Sequence, residues 1–309
     1  MKKVTYLLFL FSILVSAQHH SKFVVNVDHE KKILSVYQEL TYFNQSTDTI
    51  KSIILNDWNN AYSDRNSPLG KRFSDEFVRS FHLASEKERG ETKNLTIIDE
   101  SKSLLTWNRP ENHPDLVEVA LNDKILPNQK RTFVLSYFLK IPDDKFTRYG
   151  FNSQEGMILK NCFLTPAVYE NKSFKKYSNL NIDDASNAIS DIDLQINTND
   201  HQVVSDLPLE KKENNSFYFS GKKYSYFNLY IEKNTSFMSF KNGDLDIVTN
   251  IEDKKVSDIN KAIIVDKVLT YVETNLGKYQ KSKITVSQVD YDTNPFYGLN
   301  QLPSFISPF

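Results

Sequence analysis

The sequence predicts a mostly β protein, in which a large antiparallel β-sandwich is followed by a smaller α+β unit. Apolar and polar residues alternate over many short segments from Lys22 onward, as half-buried strands require. Turn-forming residues separate these segments at the spacing of an antiparallel sandwich. One long helical period, from 258 to 276, lies near the end of the chain. With 39% hydrophobic residues, the chain can bury cores in more than one unit.

The first 17 residues have the pattern of an export signal. A short basic start, Met1-Lys2-Lys3, precedes the apolar run Leu7 to Val15 and the small pair Ser16-Ala17. A retained anchor is the alternative, but the run is shorter than the roughly 20 residues that span a bilayer. We therefore predict a signal peptide at 1–17 and an exported product, either periplasmic or extracellular and cell-surface. No later stretch is as apolar, so the mature chain is expected to have no membrane span.

Strands are predicted in the first half of the chain because Val, Ile, Tyr and Phe alternate there with polar residues. The predicted strands are 22–28, 33–43, 50–55, 95–98, 104–107, 117–121 and 132–139. A helix interrupts them at 74–84, where Ser74 can act as the N-cap. This helix is expected to bury Phe77, Phe81 and Leu83 or their neighbours.

The second half continues the strand pattern up to residue 248, and a long helix is predicted after it. Ile192, Leu194 and Ile196 alternate with polar residues, and further strands are predicted at 217–219, 226–231 and 245–248. The helix 258–276 is capped by Ser257 and ends at Gly277. Its predicted packed face consists of Ala262, Val265, Val268, Leu269, Val272 and Leu276. A strand at 283–289 follows it.

Composition excludes two classes of protein. Lys and Arg total 38 and Asp and Glu total 39, so no net field favours binding to nucleic acid. The only cysteine, Cys162, cannot form an internal disulfide, so a scaffold held together by disulfides is excluded. Its neighbours are apolar and no histidine is near it in sequence, which favours a buried structural thiol over a nucleophile.

No metal ligands are predicted in this chain. His29-Glu30 is followed by Lys31-Lys32-Ile33, so the zinc-binding pattern H-E-x-x-H is absent, and a solvated turn is the better interpretation. The remaining histidines have no ligand spacing. Acidic residues at 183, 184, 191 and 193 suggest calcium, but the twelve-residue loop is missing and a solvated surface is favoured.

Several segments, taken in order, resemble one family. The opening FVVNVDHEKKILSVYQELTYFNQS resembles a first hairpin that ends in Asn-x-Ser, and 117–142 resembles a strand, a proline turn, a second strand and a proline. Phe163-Leu164-Thr165-Pro166 resembles an aromatic-x-Pro that closes a substrate-side loop. The segment 268–305 resembles the first helix, strand and loop of a catalytic domain. Together they resemble the N-terminal portion of the aminopeptidase N family of zinc metallopeptidases, and 55–90 is reminiscent of a secreted Bacteroidetes-type branch.

The resemblance implies an organisation and a set of site residues. It implies a saddle-like N-terminal β domain at 18–235 and the incomplete, α+β start of a thermolysin-like catalytic domain at 236–309. Gly298, Leu299, Asn300 and Gln301 stand where the family carries its G-A-M-E-N loop. Gln301 replaces the glutamate, so its contact with a substrate ammonium group lacks a charge. Counting back from Pro166 places Glu155 near a second amine-binding position, although an exposed turn residue is the favoured alternative.

The same resemblance leaves two functions open. No zinc ligand or general base is expected in this chain, so zinc is expected only if a longer chain supplies H-E-x-x-H and a downstream Glu. The first function is the N-terminal part of an exported metallopeptidase, forming one wall of the substrate cleft and binding peptide or protein N-termini. Its other partner is the rest of the catalytic domain. The second is a non-catalytic secreted binding or scaffold protein of the same fold, which the Gln301 replacement favours.

Overall fold

The computed structural model describes residues 18–147, 149–153, 155–176, 186–233, 236–251, 256–279 and 281–288. The strands up to residue 140 are β1 (His19–Asp28), β2 (Ile33–Phe43), β3 (Ile50–Asn56), β4 (Glu91–Ile98), β5 (Trp107–Asn108), β6 (Leu116–Ile125) and β7 (Lys130–Lys140). Short strands follow, namely β8 (Gly150–Phe151), β9 (Met157–Lys160), β10 (Thr165–Pro166), β11 (Tyr169–Glu170) and β12 (Ser173–Phe174). The remaining strands are β13 (Ser190–Asn197), β14 (Gln202–Ser205), β15 (Leu209–Glu213), β16 (Ser216–Tyr224), β17 (Asn228–Glu232), β18 (Met238–Asn242), β19 (Leu245–Thr249) and β20 (Lys283–Val286). The α-helices are α1 (Pro68–Asp75), α2 (Ser80–Leu83) and α3 (Asp258–Leu276).

The largest sheet has seven strands in the order β15-β16-β13-β1-β2-β7-β4. Most neighbours are antiparallel, as the alternation predicts, and Ile192, Leu194 and Ile196 are buried as expected. One pairing was not predicted: β1 lies parallel to β13, with Phe23 opposite Leu194. The mostly β class predicted from the sequence is confirmed.

Besides the two-stranded sheet β11-β12, the large β unit contains two four-stranded sheets. Their orders are β10-β3-β6-β5 and β14-β17-β9-β8. Apolar side chains from the seven-stranded sheet and both four-stranded sheets form one continuous core, which includes Phe23, Leu55 and Leu229. This core also contains Cys162, which is 3% exposed, so the expectation of a buried thiol is confirmed.

The helical segment between β3 and β4 differs from its prediction. The expected helix at 74–84 is wrong, because α1 begins after Ser67 and ends at Asp75, and α2 spans only four residues. Ser67 is the effective cap, since its hydroxyl accepts from the Gly70 N–H at 3.1 Å and Pro68 fits the first helical turn. Phe81 is buried as expected, but Phe77 and Leu83 are 90% and 81% exposed.

The last described unit is a three-stranded sheet, β18-β19-β20, that carries α3. Helix α3 runs from its Ser257 cap to Gly277 as predicted. Its packed face is narrower than predicted, because Val268 and Leu276 are 54% and 81% exposed. No helix among the described residues is long and apolar enough to cross a membrane.

Two predicted strands are shorter or displaced in the structure. In the predicted strand 104–107, Leu104 forms a single bridge with Ile98, and only Trp107 belongs to a strand, β5. The predicted strand 283–289 ends at Val286 as β20. Its last predicted residue, 289, lies outside the described residues.

Candidate functional site at the Glu155 turn

Of the residues predicted to bind a substrate amine, the structure describes only Glu155. Gly298, Leu299, Asn300 and Gln301 lie outside the described residues, so their proximity to Glu155 stays a prediction. Glu155 lies in the turn between β8 and β9, at the edge of the sheet β14-β17-β9-β8.

The backbone of this turn is fixed by Asn152. Its side-chain oxygen accepts from the Gly156 N–H at 2.8 Å, and the Asn152 N–H donates to the Gly156 carbonyl at 2.9 Å. Gly156 packs closely, since an added Cβ would meet the Asn152 amide nitrogen at 2.9 Å and the Ile231 carbonyl at 3.1 Å. Glu155 has a φ of 63°, which is uncommon for a residue with a Cβ. The turn therefore holds the Glu155 side chain at its exposed tip.

The Glu155 carboxylate already has a cationic partner. The Lys233 ammonium group donates to it at 2.6 Å, and the two side chains are 61% and 41% exposed for Glu155 and Lys233. The hydrogen bond from Lys233 is the main cause that lowers the pKa of Glu155, so the carboxylate is ionised at neutral pH. An arriving ammonium group has to compete with Lys233 for it. Because the pair is exposed, solvent screens the pair and such exchange is feasible.

Two histidines lie beside this turn. The His201 ring contacts the Glu155 carbonyl through Nε2 at 3.2 Å and the Asn199 carbonyl through Nδ1 at 2.5 Å. The His29 ring stacks on it, with ring centroids 3.5 Å apart and planes 7° from parallel. His29 Nε2 also contacts the Thr198 hydroxyl at 2.7 Å. The turn thus touches the β1–β2 hairpin and the β13–β14 loop.

Sequence reasoning did not connect these residues. His29 was interpreted as a solvated turn residue and His201 as isolated, yet the chain brings them together across 172 positions. Lys233 is 78 positions from Glu155 and follows the end of β17. Neither pairing leaves a local pattern, because it depends on how two sheets pack.

The loop that the resemblance assigns to the substrate side is held in the core. Phe163 stacks on Phe23 at 4.6 Å, and the Leu164 N–H donates to the Tyr137 hydroxyl at 3.2 Å. Tyr137 in turn donates to Gln38, whose amide donates to the Leu164 carbonyl at 2.9 Å. Burial raises the pKa of the Cys162 thiol well above its usual range, so a thiolate nucleophile is disfavoured there.

The cavity beside Cys162 and the contact between Ser74 and His82 do not form a second site. A cavity beside Cys162 and Tyr226 measures about 20 Å³, the space of a single water. The hydroxyl of Ser74 contacts His82 Nε2 at 2.8 Å, but that nitrogen also lies 2.9 Å from the Gly70 carbonyl and must donate to it. His82 is therefore not a base for Ser74. Within the described residues, no group of three or more His, Cys, Asp or Glu side chains can hold a metal.

Comparisons with known proteins give a fold likeness only. No protein-family model matches the chain. No curated protein matches its sequence either. Among solved structures, the chain is similar to an M1 zinc metallopeptidase from Deinococcus radiodurans bound to a Tyr-Ser-Ala substrate, with a TM-score of 0.51 and 10% identity. That alignment covers 87% of this chain and 56% of the Deinococcus protein, so the chain spans little more than half of that relative.

Two further structures are similar at lower scores. An aminopeptidase N family protein from Idiomarina loihiensis aligns with a TM-score of 0.44 and 11% identity, over 86% of this chain and 38% of that one. A yeast LTA4 hydrolase in complex with bestatin aligns with a TM-score of 0.47 and 13% identity, over 88% and 37%. The fold described above is therefore similar to that of the Deinococcus M1 metallopeptidase, over about half of that protein.

Proposed function

We propose that this chain is the N-terminal part of an exported aminopeptidase N-like metallopeptidase, whose β domain forms one wall of the substrate cleft. The observation that carries this proposal is the likeness of the fold, across 87% of the chain, to an M1 zinc metallopeptidase. The ordered set of sequence segments described above supports it independently. Membership in the secreted Bacteroidetes-type branch and the export signal at 1–17 belong to the same proposal.

In this proposal, the chain supplies contacts to a peptide N-terminus rather than the hydrolytic centre. The sequence contains no H-E-x-x-H, and within the described residues no group of three or more His, Cys, Asp or Glu side chains is placed to hold a metal. Zinc is expected only if a longer chain supplies those ligands. Glu155 offers a carboxylate to the substrate ammonium group, and the loop Gly298-Leu299-Asn300-Gln301 offers neutral hydrogen-bond acceptors.

A non-catalytic binding or scaffold protein is the second candidate, and two observations favour it. Gln301 replaces a charged residue of the family loop. The Glu155 carboxylate is occupied by Lys233 at 2.6 Å, so the second amine contact is also weakened. A protein that keeps the fold without the chemistry needs neither contact.

The reading frame beyond codon 309 distinguishes the two candidates. The metallopeptidase proposal expects an H-E-x-x-H and a downstream Glu, and the protein purified with that region should hold one zinc and cleave an amino-acid anilide. The chain 18–309 alone should hold no stoichiometric zinc and cleave no anilide. A frame without the pattern, or a tightly held zinc in 18–309, contradicts the proposal.

The role of Glu155 can be tested separately by comparing KM values of two variants of the longer protein. Glu155→Gln should raise KM for the anilide, because the neutral amide loses the charged contact with the ammonium group. Glu170→Gln is the matched control, since Glu170 is also an exposed carboxylate paired with a lysine, Lys175 at 2.7 Å. Equal KM values for the two variants would remove Glu155 from the site.

A further inference from the structure

The histidine stack, formed by His29 and His201, joins two sheets at the Glu155 turn. His29 lies in the turn between β1 and β2 of the seven-stranded sheet, and His201 lies between β13 and β14. His201 contacts the carbonyl of Glu155, which belongs to the turn before β9. The rings overlap face to face with centroids 3.5 Å apart, which is closer than the roughly 4.5–7 Å that is usual for aromatic pairs.

The hydrogen-bond partners of this stack distinguish the two rings. Both contacts of His201 are to carbonyl oxygens, which can only accept, so both are hydrogen bonds only when both ring nitrogens carry hydrogen. His29 is different, because its Nδ1 is buried with no hydrogen-bond partner among the described residues. A proton added to that nitrogen has no acceptor. The geometry therefore suits one charged ring on one neutral ring.

Protonation of His29, which would place a second charge in the stack, is disfavoured by its surroundings. The charged groups that act on His29 are His201 on the facing loop, Lys233 after β17, Glu155 on the β8–β9 turn and Asp28 on its own hairpin. Burial is the largest cause, and His201 the next, that lower the pKa of His29 to about 4, while Asp28 and Glu155 act in the opposite sense. Asp200 acts on Lys233 in the same cluster.

We propose that the histidine stack is a pH-sensitive latch, which holds the Glu155 turn against the β1–β2 hairpin while His29 is neutral and releases it when both rings are charged. Protonation adds a like charge 3.5 Å from the first and a buried N–H without an acceptor. The stack then separates, and the His201 bond to the Glu155 carbonyl is lost with it. In the proposed metallopeptidase, acid would thereby loosen one substrate-side turn, but the latch itself does not rest on that function.

The test follows backbone amide and histidine ring signals of residues 18–309 by NMR, at a temperature and concentration where the chain does not associate, as the pH is lowered from 7 to 4. It uses a Glu155→Gln background, so that no carboxylate titrates at the turn. The Gly156 and Thr198 amide signals should shift together with the His29 ring signals, toward the acid end of this range. The Val36 amide, in the centre of β2, should not shift with them.

Two further variants in that background complete the test. His29→Phe keeps a stacked ring that cannot be protonated, so the shift of the Gly156 amide should be lost. His82→Gln, which removes a histidine outside the stack and keeps a donor for the Gly70 carbonyl, should retain it. An unchanged Gly156 signal, an equal shift with His29→Phe, or unfolding of β2 before the turn moves would each overturn the latch.

Discussion

Four polar side chains are buried within the eight residues 55–62, namely Asn56, Asp57, Asn59 and Asn60. Each is bonded to a different part of the chain. Asn60 donates to the Pro114 carbonyl at 2.7 Å and Asn59 to the Lys140 carbonyl at 3.2 Å. Because each amide matches a specific backbone group, this segment fixes the loops around β3 by hydrogen bonds as well as by apolar packing.

Asp57 is the charged member of this segment, and its removal from water depends on Arg109. Its carboxylate accepts from the Arg109 guanidinium at 2.7 Å and from the Thr92 hydroxyl at 2.7 Å. Arg109→Met leaves a fully buried carboxylate without its cation, and we expect a loss of about 3 kcal/mol of unfolding free energy in urea titration. Adding Asp57→Asn should restore part of it. Additive losses would show that the ion pair is not the cause. Lys176→Met, which breaks an exposed pair with Glu118, is the control.

The buried His19 should make the free energy of unfolding depend on pH. Burial lowers its pKa from 6.5 to about 4 in the folded state, whereas the unfolded chain has the ordinary value. The unfolded state therefore binds the proton first as pH falls, so stability present above about pH 6.5 is lost toward pH 4. One such proton contributes a slope of at most about 1.4 kcal/mol per pH unit.

The variant His19→Gln should flatten this slope. Its amide oxygen can replace Nδ1 as the acceptor for the Phe43 N–H, a contact of 3.2 Å in the structure. Urea unfolding between pH 4 and pH 7 should therefore show a weaker acid loss than the wild type, by up to one proton. His82→Gln should keep the wild-type slope. If His19→Gln keeps it as well, burial of His19 is not the source.

At the scale of the element, helix α1 ends in a turn that has no glycine to mark it in the sequence. The Val78 N–H donates to the Phe73 carbonyl at 2.8 Å and the Phe77 N–H to the Ser74 carbonyl at 3.1 Å, which is the Schellman pattern. The left-handed position in this pattern favours glycine, but here Phe77 occupies it with a φ of 59°. No helix-ending glycine was present to reveal the stop, so the sequence prediction placed the helix too late.

Phe77→Gly should therefore stabilise the protein. The change relieves the left-handed strain, and the lost ring is 90% exposed and contributes little burial. We expect a gain of up to about 1 kcal/mol in urea unfolding, after the entropy that glycine adds to the unfolded chain. Phe77→Ala is the matched control, since it removes the ring and keeps the strain. A gain with alanine equal to that with glycine would assign the effect to the ring instead.

At the scale of the whole molecule, the sequence predicted the elements that are defined by a local residue pattern. It did not predict the contacts that depend on how distant segments pack. Strand β2 and helix α3 have the predicted bounds, because alternation and capping residues define them locally. The two-residue strands at 165–166 and 169–170 have no period to detect. The parallel pairing of β1 with β13 spans more than 160 residues. The surroundings of Glu155 were missed for the same reason, since three separate loops form them.

Polar contacts join the large β unit to the last unit. Asn250, after β19, donates to the Glu232 carboxylate of β17 at 2.8 Å. Lys281 lies 3.7 Å over the Tyr224 ring. Contacts of this kind tolerate separation better than an apolar interface does, because both sides can be hydrated. The β unit should therefore keep its core when the last unit is removed.

The chain 18–309 should associate more readily than the shorter chain 18–234. Helix α3 presents a second, broad apolar stripe to solvent, outside the face that packs on the sheet. Its exposed members are Ile259, Ile263, Ile264, Val268 and Tyr271, with exposed fractions from 45% to 74%. An apolar stripe of this kind favours association, whereas the shorter chain ends beyond β17 and retains the continuous core.

We therefore expect the shorter chain to be monomeric and to melt cooperatively, and the longer chain to scatter light and to aggregate on heating. Thermal melting and static light scattering at several concentrations measure both properties. Ile264→Lys with Val268→Glu in the longer chain should reduce its scattering, because the charges interrupt the stripe. Glu273→Lys with Lys278→Glu, which exchanges two charges near the end of the helix, should leave the scattering unchanged. A longer chain that is monomeric and melts above the shorter one would show that the stripe is covered within this chain.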